Sequence, residues 1–125
     1  MKRNKIIFWT TTVIVSAMML YSAFNYLTNE VMKGAFVHLG FPSYFRIELA
    51  AAKILGAIVL ILPLIPGRLK EFAYFGFTIT FISASIAHFS SGDPFSVAVT
   101  PVVFLGILAT SYWYFRRIVL TQQVN

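Results

Sequence analysis

A single lysine interrupts the second long apolar segment of the chain. Lys53 lies inside the run of residues 47–65, which is long enough to cross a membrane as a helix. A full charge at the centre of such a helix costs about 2.5–3.5 kcal/mol on insertion scales. A residue that unfavourable in lipid needs a compensating partner, a water-filled cavity or a functional role. Lys53 is therefore the first candidate for a ligand-binding residue.

Three further polar residues are expected near the level of Lys53. Asn25 closes the first apolar segment, Glu48 lies in the second, and His88 closes the third. Helical side chains tilt toward the N-terminus of their own helix, so Glu48 leans outward whereas Asn25 and His88 lean inward. At about 1.5 Å of rise per residue, the four groups could meet 5–10 Å below the outer surface. We predict a ligand-binding pocket formed by Lys53, His88, Glu48 and Asn25.

Glu48 and Lys53 are poorly placed to pair with each other. They are five residues apart, which separates their directions by about 140° on an ideal helix. We therefore expect Lys53 to find its partner on another helix. The polar groups available there are His88, Asn25, Tyr21 and Asp93.

A purely structural role competes with this site. Lys53 is only about 10 Å deep by the same rise, and its long stem could carry the amine to the membrane surface. Glu48 and His88 could likewise be interfacial residues. A bis-histidine haem is disfavoured because His38 falls in a connection. The sequence shows no metal-ligand cluster, phosphate loop or nucleophilic triad, so we assign no metal and no catalytic residue.

The elements that position these residues follow from composition. The 125 residues are 58% hydrophobic and 11% charged, which is too little polar surface for a soluble domain. Four apolar blocks of roughly 20 residues match the length of a membrane-spanning helix. They cover residues 6–27, 46–65, 72–89 and 95–115, and none alternates like a barrel strand. We predict an all-α fold with a single integral-membrane four-helix domain over residues 1–125. Because two of the links between helices are short, neighbouring helices should run antiparallel, in an up-down-up-down arrangement.

The N-terminus has two interpretations. Lys2, Arg3 and Lys5 precede an apolar stretch, as in a signal peptide. That stretch exceeds a signal core of about 7–15 residues, and no clean small-x-small cleavage site precedes Asn25, which favours a retained span.

The absence of cysteine excludes thiol–disulfide chemistry, cysteine-ligated iron–sulfur clusters and covalent c-type haem for this chain alone.

The net charge of +6 indicates topology rather than nucleic-acid binding. Cations precede the first span, link the second to the third, and follow the fourth, all on one side of an up-down-up-down bundle. The other side holds Lys33 and Arg46, accompanied by acidic residues. By the positive-inside rule, both termini face the cytoplasm. The lipid bilayer is therefore the expected environment, and no nucleic-acid partner is predicted.

The outer connection of residues 28–44 is long and only weakly polar. Apolar residues recur at helical spacing from Val31 to Leu39, and Gly40 is placed to end a helix. We predict a short amphipathic helix there, with an ordered linker of no function as the alternative. The other two links are predicted as tight turns at residues 66–70 and 90–94.

Small and aromatic residues are assigned packing and anchoring roles. Gly56 and Gly76 belong to stripes of small residues at helical spacing, which let helix backbones approach closely in lipid. Tyr26 and Tyr74 lie near span ends, where interfacial aromatic belts are expected. We assign no chemistry to them.

Four sequence elements together resemble a known family. Residues 39–42 read LGFP, residues 48–56 read ELAAAKILG, residues 69–77 read LKEFAYFGF, and residues 83–88 read SASIAH. They resemble the DoxX-like family of small four-helix bacterial membrane proteins, within the wider DoxX/DoxD superfamily, over residues 7–114. Phe72 stands where tryptophan is expected in the third element.

The resemblance implies a multi-pass protein of the bacterial inner membrane. Members of the wider superfamily are linked to quinone-connected sulfur oxidation or to membrane oxidoreductase complexes. Lys53, His88 and Glu48 match its recurrent polar positions. The first hypothesis is therefore a redox-associated subunit that binds a quinone or another lipophilic molecule, while an oxidoreductase partner supplies any flavin or metal.

Other functions remain open. The second hypothesis is a non-enzymatic membrane protein, such as a lipophile or lipid carrier, a binding module or an assembly factor. In either case we expect no catalytic activity from the chain alone, and a homo-oligomer is compatible with both. An ion or proton pathway ranks last, because the inner half offers little beyond Ser16, Thr78 and Thr80.

Overall fold

The computed structural model describes the backbone of residues 2–124 and the side chains of residues 2–119. Over that range the chain is all-α, as predicted, without a strand. A nine-residue helix occupies the outer connection, and the four longer helices contain the predicted apolar blocks except for residues 62–65 of the second. The helices are α1 Lys2–Thr28, α2 Glu30–His38, α3 Ser43–Ile61, α4 Gly67–Ser90 and α5 Phe95–Val124.

Three of the described helices are long and apolar enough to cross a membrane. They are α1, α4 and the part of α5 from Phe95 to Val119. α3 is 19 residues long, which gives it a length of about 28 Å. Any 18-residue stretch of α3 includes the charged residues Arg46, Glu48 and Lys53, whereas the charges of the other three long helices lie toward one end and leave a long apolar stretch. Length and composition therefore support three of the four predicted spans.

Proline sets the end of α3 and the start of α4. The sequence predicts a span over residues 46–65, but α3 ends at Ile61 and Leu62 is extended, with φ −80° and ψ 127°. Leu62 precedes Pro63, and the residue before a proline is disfavoured in helical conformation. The predicted turn at residues 66–70 is wrong, because Gly67 begins α4 and the connection covers residues 62–66.

The outer connection folds around α2. Asn29 caps its first turn by accepting hydrogen bonds from the backbone N–H groups of Val31 and Met32. Gly40, at φ +86°, ends the helix where the sequence predicts, since only glycine adopts that conformation easily. α2 buries Phe36 against Tyr26, with ring centroids 4.7 Å apart.

The long helices pack around one apolar core. α1 packs against α3 and α5, and α4 packs against the same two helices. Many large apolar side chains remain exposed on the outside, which is typical of a surface that faces lipid. The core cluster contains Phe8, Val15, Met19, Ala57, Leu60, Tyr74, Phe77, Phe81, Leu108 and Phe115.

Small residues divide into two roles at the contact between α3 and α4. Gly56 lies against Phe77, and an added Cβ at Gly56 would come within 2.6 Å of the Phe77 ring. Only glycine therefore permits this approach. Gly76, in contrast, has no atom within 4 Å of the position its Cβ would take, so it opens space rather than closing a contact.

Candidate functional site

Lys53 is buried inside the helix assembly. It is the eleventh residue of α3, and its relative exposure is 6%. Its Nζ donates hydrogen bonds of 2.8 Å to the Ser22 hydroxyl and 2.8 Å to the Tyr26 hydroxyl, both on α1. The same nitrogen lies 3.9 Å from the centre of the Tyr26 ring. The side chain is thus directed to α1 and is buried there rather than exposed on the surface of the helix assembly.

Helical spacing on both partners creates this contact. Ser22 and Tyr26 are four residues apart, so they lie on one face of α1. Arg46 and Lys53 are seven residues apart, two turns along one face of α3. Arg46 donates to the backbone carbonyl of Tyr26 close to the carboxyl end of α1, where a cation is favoured by the helix dipole. Two cations of α3 therefore hold the last turns of α1.

The Lys53 amine has no carboxylate partner in the described part of the chain. The ion pairs found there join other groups, and Glu48 is exposed on α3. A lysine ammonium carries three N–H donors, of which Ser22 and Tyr26 accept two. The third donor has no hydrogen-bond acceptor among the described residues, and the charge is compensated by the Tyr26 ring rather than by a carboxylate.

Lys53 also lines a groove between α3 and α4, with a volume of about 420 Å³. The walls are mainly apolar and combine small with large side chains, and Thr80 adds a hydroxyl at the α4 side. Such a groove fits a lipophilic molecule, since binding pockets are mostly apolar with a few polar groups that fix orientation. Its lining is Leu49, Ala52, Lys53, Leu55, Gly56, Val59, Leu69, Phe72, Ala73, Gly76, Phe77 and Thr80.

His88 belongs to a different cluster at the outer turn. Its Nδ1 lies 2.7 Å from Asp93 Oδ2, and His38 Nε2 lies 3.1 Å from Asp93 Oδ1. The hydrogen bonds from these two rings, with His88 the stronger influence, hold the pKa of the Asp93 carboxyl below its usual range. The cluster ties the end of α2 to the turn between α4 and α5.

This cluster is not arranged as a metal site. Among the described residues, no group of three or more His, Cys, Asp or Glu side chains could hold a metal ion. Asp93 engages one nitrogen of each histidine through separate oxygens. The residues present do not fit a haem held by His38 and His88, because such a haem needs two buried histidines on facing helices and His38 is exposed.

The structure does not join the four predicted site residues by hydrogen bonds. Asn25 donates to the Tyr21 carbonyl of its own helix at 3.1 Å and accepts from Asn29. Of the predicted set, Lys53 lines the α3–α4 groove, whereas the lining does not include Asn25, Glu48 or His88. Of the four predicted residues, Lys53 is therefore the one that we retain as a candidate ligand-binding residue.

Ser22 and Tyr26 were not predicted as partners of Lys53. The signal that could have found them is their four-residue spacing, which places two hydroxyls on one face near the end of α1. The sequence instead predicts Tyr26 as a residue of the interfacial aromatic belt, because it lies close to the end of a span. Its hydroxyl points to Lys53, which gives it a polar role inside the protein.

A second polar network, which joins α1, α4 and α5, was also not predicted. The Ser111 hydroxyl on α5 lies 2.7 Å from the Thr12 hydroxyl on α1 and 2.7 Å from the Tyr74 hydroxyl on α4. Tyr74 is only 3% exposed, so its belt assignment is wrong. Ser16, one turn from Thr12, is fully buried and its hydroxyl has no partner in the described structure. This part of the helix assembly is therefore more polar than the sequence suggests.

Lys70 is the second buried lysine, and its role is structural. Its Nζ donates to the backbone carbonyls of Val59, Leu60 and Leu62 at 2.8–2.9 Å. These carbonyls lie at the carboxyl end of α3, where helix geometry leaves them without intrahelical donors. Lys70 therefore caps α3 from the first turn of α4.

Comparison with known proteins identifies one family. The sequence model described as the DoxX-like family matches residues 10–111, which include Lys53, its two hydroxyl partners and both walls of the groove. No curated protein and no solved structure matches the chain.

Proposed function

The chain belongs to the DoxX-like family, and we propose that it acts as a redox-associated membrane subunit that binds a quinone or another lipophilic molecule beside Lys53. The family and the three long apolar helices together identify a small multi-pass membrane protein. The proposal adds the ligand class, the site and the association with an oxidoreductase.

The proposed membrane arrangement is a four-helix, up-down-up-down bundle in which α3 is the fourth span. Two of its three charges are compatible with spanning because Lys53 is buried and Arg46 bonds to α1, and the third, Glu48, lies in the second turn of α3, near the helix end. The cations of residues 2–5, 68–70 and 116–117 favour a cytoplasmic location for both termini. We infer a bacterial inner membrane, with α2 on the outer surface as a short amphipathic helix.

One observation carries the ligand proposal: Lys53 is a buried cation, without a carboxylate partner in the described structure, on the wall of an apolar groove. A charge in that position is unfavourable unless a partner compensates it. An oxygen-bearing head group on an apolar body would complement both features at once.

The chain's own residues would bind and orient this molecule. Lys53 would donate its remaining N–H to a carbonyl oxygen, while Ser22 and Tyr26 hold the amine in place. A quinone supplies two-electron redox chemistry when bound. The electrons would come from an oxidoreductase partner, because the sequence carries no flavin, iron–sulfur or metal motif of its own.

The unpaired charge of Lys53 also favours a second candidate function. A lipophilic acid, such as a fatty acid, would neutralise the ammonium directly, whereas a quinone only accepts a hydrogen bond from it. The protein would then be a non-enzymatic lipophile carrier or binding module. The same site would serve, but no redox partner would be required.

Equilibrium binding in detergent micelles tests both candidates. A short-chain benzoquinone and a fatty acid are titrated against the wild type, Lys53→Met and Lys33→Met. Lys33 is a matched control because it pairs with Glu30 on α2, away from the groove. We expect Lys53→Met to weaken binding of the true ligand at least about tenfold, as for a charge-assisted hydrogen bond, and Lys33→Met to leave it unchanged.

A pair of alanine-to-phenylalanine variants tests whether the ligand occupies the groove, without changing the charge of Lys53. Ala51 and Ala52 are both exposed on α3, but only Ala52 belongs to the groove lining. Ala52→Phe should abolish binding, whereas Ala51→Phe should not. Fatty acid binding without quinone binding would select the carrier, and binding of neither compound would remove both candidates.

A further inference from the structure

A second cleft lies between α4 and α5 and has a volume of about 620 Å³. Of its lining residues, only Phe72 also lines the α3–α4 groove. Arg68 and Glu71 on α4 mark one end of the cleft, and Leu105 on α5 lies toward the other. The cleft is therefore a separate feature, and an inference about it does not depend on the Lys53 site.

The cleft changes from charged to apolar along its length. On α4 the lining runs from Arg68 through Phe75 to Thr78, a distance of about 15 Å at the helical rise. The ion pair between Glu71 and Arg116, at 3.0 Å, places the charged end of α4 beside the later turns of α5. Beyond that end the walls are formed mainly by apolar side chains. This gradient matches a molecule with a polar head and a hydrocarbon tail.

The charged end carries a positive surface. Arg68 is exposed and forms no ion pair within the described structure. The Glu71 carboxylate is compensated by Arg116, which donates one of its five N–H groups to it and retains the others. Lys70, in contrast, is buried as the cap of α3. Six exposed basic residues lie at this end: Lys2, Arg3, Lys5, Arg68, Arg116 and Arg117.

The ends of α1 and α5 meet there, since the rings of Phe8 and Phe115 are 6.2 Å apart. The N-terminal turn of α1 therefore lies at the same end of the helix assembly as Arg116, and its cations do not line the cleft. Glu71 is the single acidic residue at that end. A negatively charged head group would be attracted to this end of the cleft, and a neutral one would not.

We propose that the α4–α5 cleft binds an anionic phospholipid of the adjacent leaflet, with one acyl chain along the apolar walls and the phosphate at Arg68 and Arg116. Arginine suits this role because its planar fork binds phosphate oxygens through two N–H groups. A basic recess between membrane helices is the kind of site that recognises anionic head groups. Charge complementarity and the polar-to-apolar gradient together favour a lipid over an apolar peptide.

Native mass spectrometry of the purified chain tests this site. Phosphatidylglycerol and phosphatidylcholine with identical acyl chains are added in parallel, and retained lipid is counted. We expect a preference for phosphatidylglycerol that falls about fivefold in Arg68→Gln, because one surface cation contributes about 1 kcal/mol. Arg3→Gln removes the same charge outside the cleft and should have a much smaller effect.

A second pair of variants tests the apolar walls. Ala109 is exposed on α5 and lines the cleft, whereas Ala17 is exposed on α1 and is absent from the lining. Ala109→Phe should reduce retention of both lipids, and Ala17→Phe should reduce neither. Equal effects of Arg3→Gln and Arg68→Gln would overturn the proposal, because they would show general surface attraction. If Ala109→Phe instead abolished a dimer and left lipid retention unchanged, the proposal would be overturned, because the cleft would then bind a second copy of the chain.

Discussion

The Nζ of Lys53 lies 2.8 Å from the hydroxyl oxygen of Tyr26 and 3.9 Å from the centre of the same ring. One tyrosine thus offers the lysine a hydrogen-bond acceptor and an aromatic face. The two residues stand on α3 and α1, so the contact joins helices as well as compensating a charge. Cation–π attraction contributes about 0.5–2 kcal/mol and increases as the cation is desolvated.

Removing only the Tyr26 hydroxyl should weaken this junction moderately. Tyr26→Phe keeps the ring beneath the amine but deletes one of its two hydroxyl acceptors. We expect a loss of about 0.6–2 kcal/mol in the free energy of unfolding in detergent micelles. Tyr44→Phe provides the control, since Tyr44 is exposed on the same outer end. A double-mutant cycle with Lys53→Met should show coupling, and strict additivity would contradict the contact.

Lys70 should matter far more for stability than its neighbour Arg68. Lys70→Met deletes three donors to the carboxyl end of α3 and leaves the carbonyls of Val59, Leu60 and Leu62 without them. We expect a loss of about 2–4 kcal/mol in the free energy of unfolding. Arg68→Met, at an exposed position, should change it by less than about 0.5 kcal/mol. Similar values for both variants would show that the cap contributes little.

Two glycine-to-alanine substitutions should have different effects. Gly56→Ala places a methyl group within 2.6 Å of the Phe77 ring, so α3 and α4 must separate or the ring must move. We expect a loss of about 1–3 kcal/mol in the free energy of unfolding. Gly106→Ala meets no atom within 4 Å and replaces a helical glycine, so it should be neutral or stabilise by up to about 1 kcal/mol. A neutral Gly56→Ala would contradict the close packing.

Asp93 should titrate at unusually low pH. The two histidine hydrogen bonds lower its pKa, so its stabilising contribution is fully present above the unfolded value of about 3.9. That contribution is lost as the pH falls through the lowered value in the folded protein. Asp93 is the only aspartate in the sequence, so carboxyl ¹³C labelling of aspartate gives one resonance to follow. Replacing His88 with Gln should move the midpoint upward, and an unchanged midpoint would contradict the contact.

The fold class and the choice of Lys53 were accessible from the sequence because both depend on hydropathy. A charge inside an apolar run stands out whatever surrounds it, and α1, α4 and α5 are long apolar blocks. The family assignment is confirmed, since its short motifs can be recognised without knowledge of packing. These conclusions depend on position along the chain alone.

The partners of Lys53 depend on how helices rotate against each other, which hydropathy does not report. The sequence placed His88 near the level of Lys53, but Asp93, five residues later, engages His88 at the turn. Ser22 and Tyr26 instead face Lys53 because α1 packs directly against α3. The helix-end contacts of Arg46 and Lys70 were not predicted either. Their acceptors are backbone carbonyls, which nearly every residue carries and which leave no signal in the sequence.

The most direct test of the Lys53 site is photolabelling with an azido-quinone in native membranes, followed by peptide mapping. We expect adducts within residues 49–59 or 69–80, suppressed by excess unlabelled quinone and lost in Lys53→Met. Lys33→Met should label like the wild type. Labelling that resists competition, or that maps to residues 105–119 and is indifferent to Lys53, would contradict it.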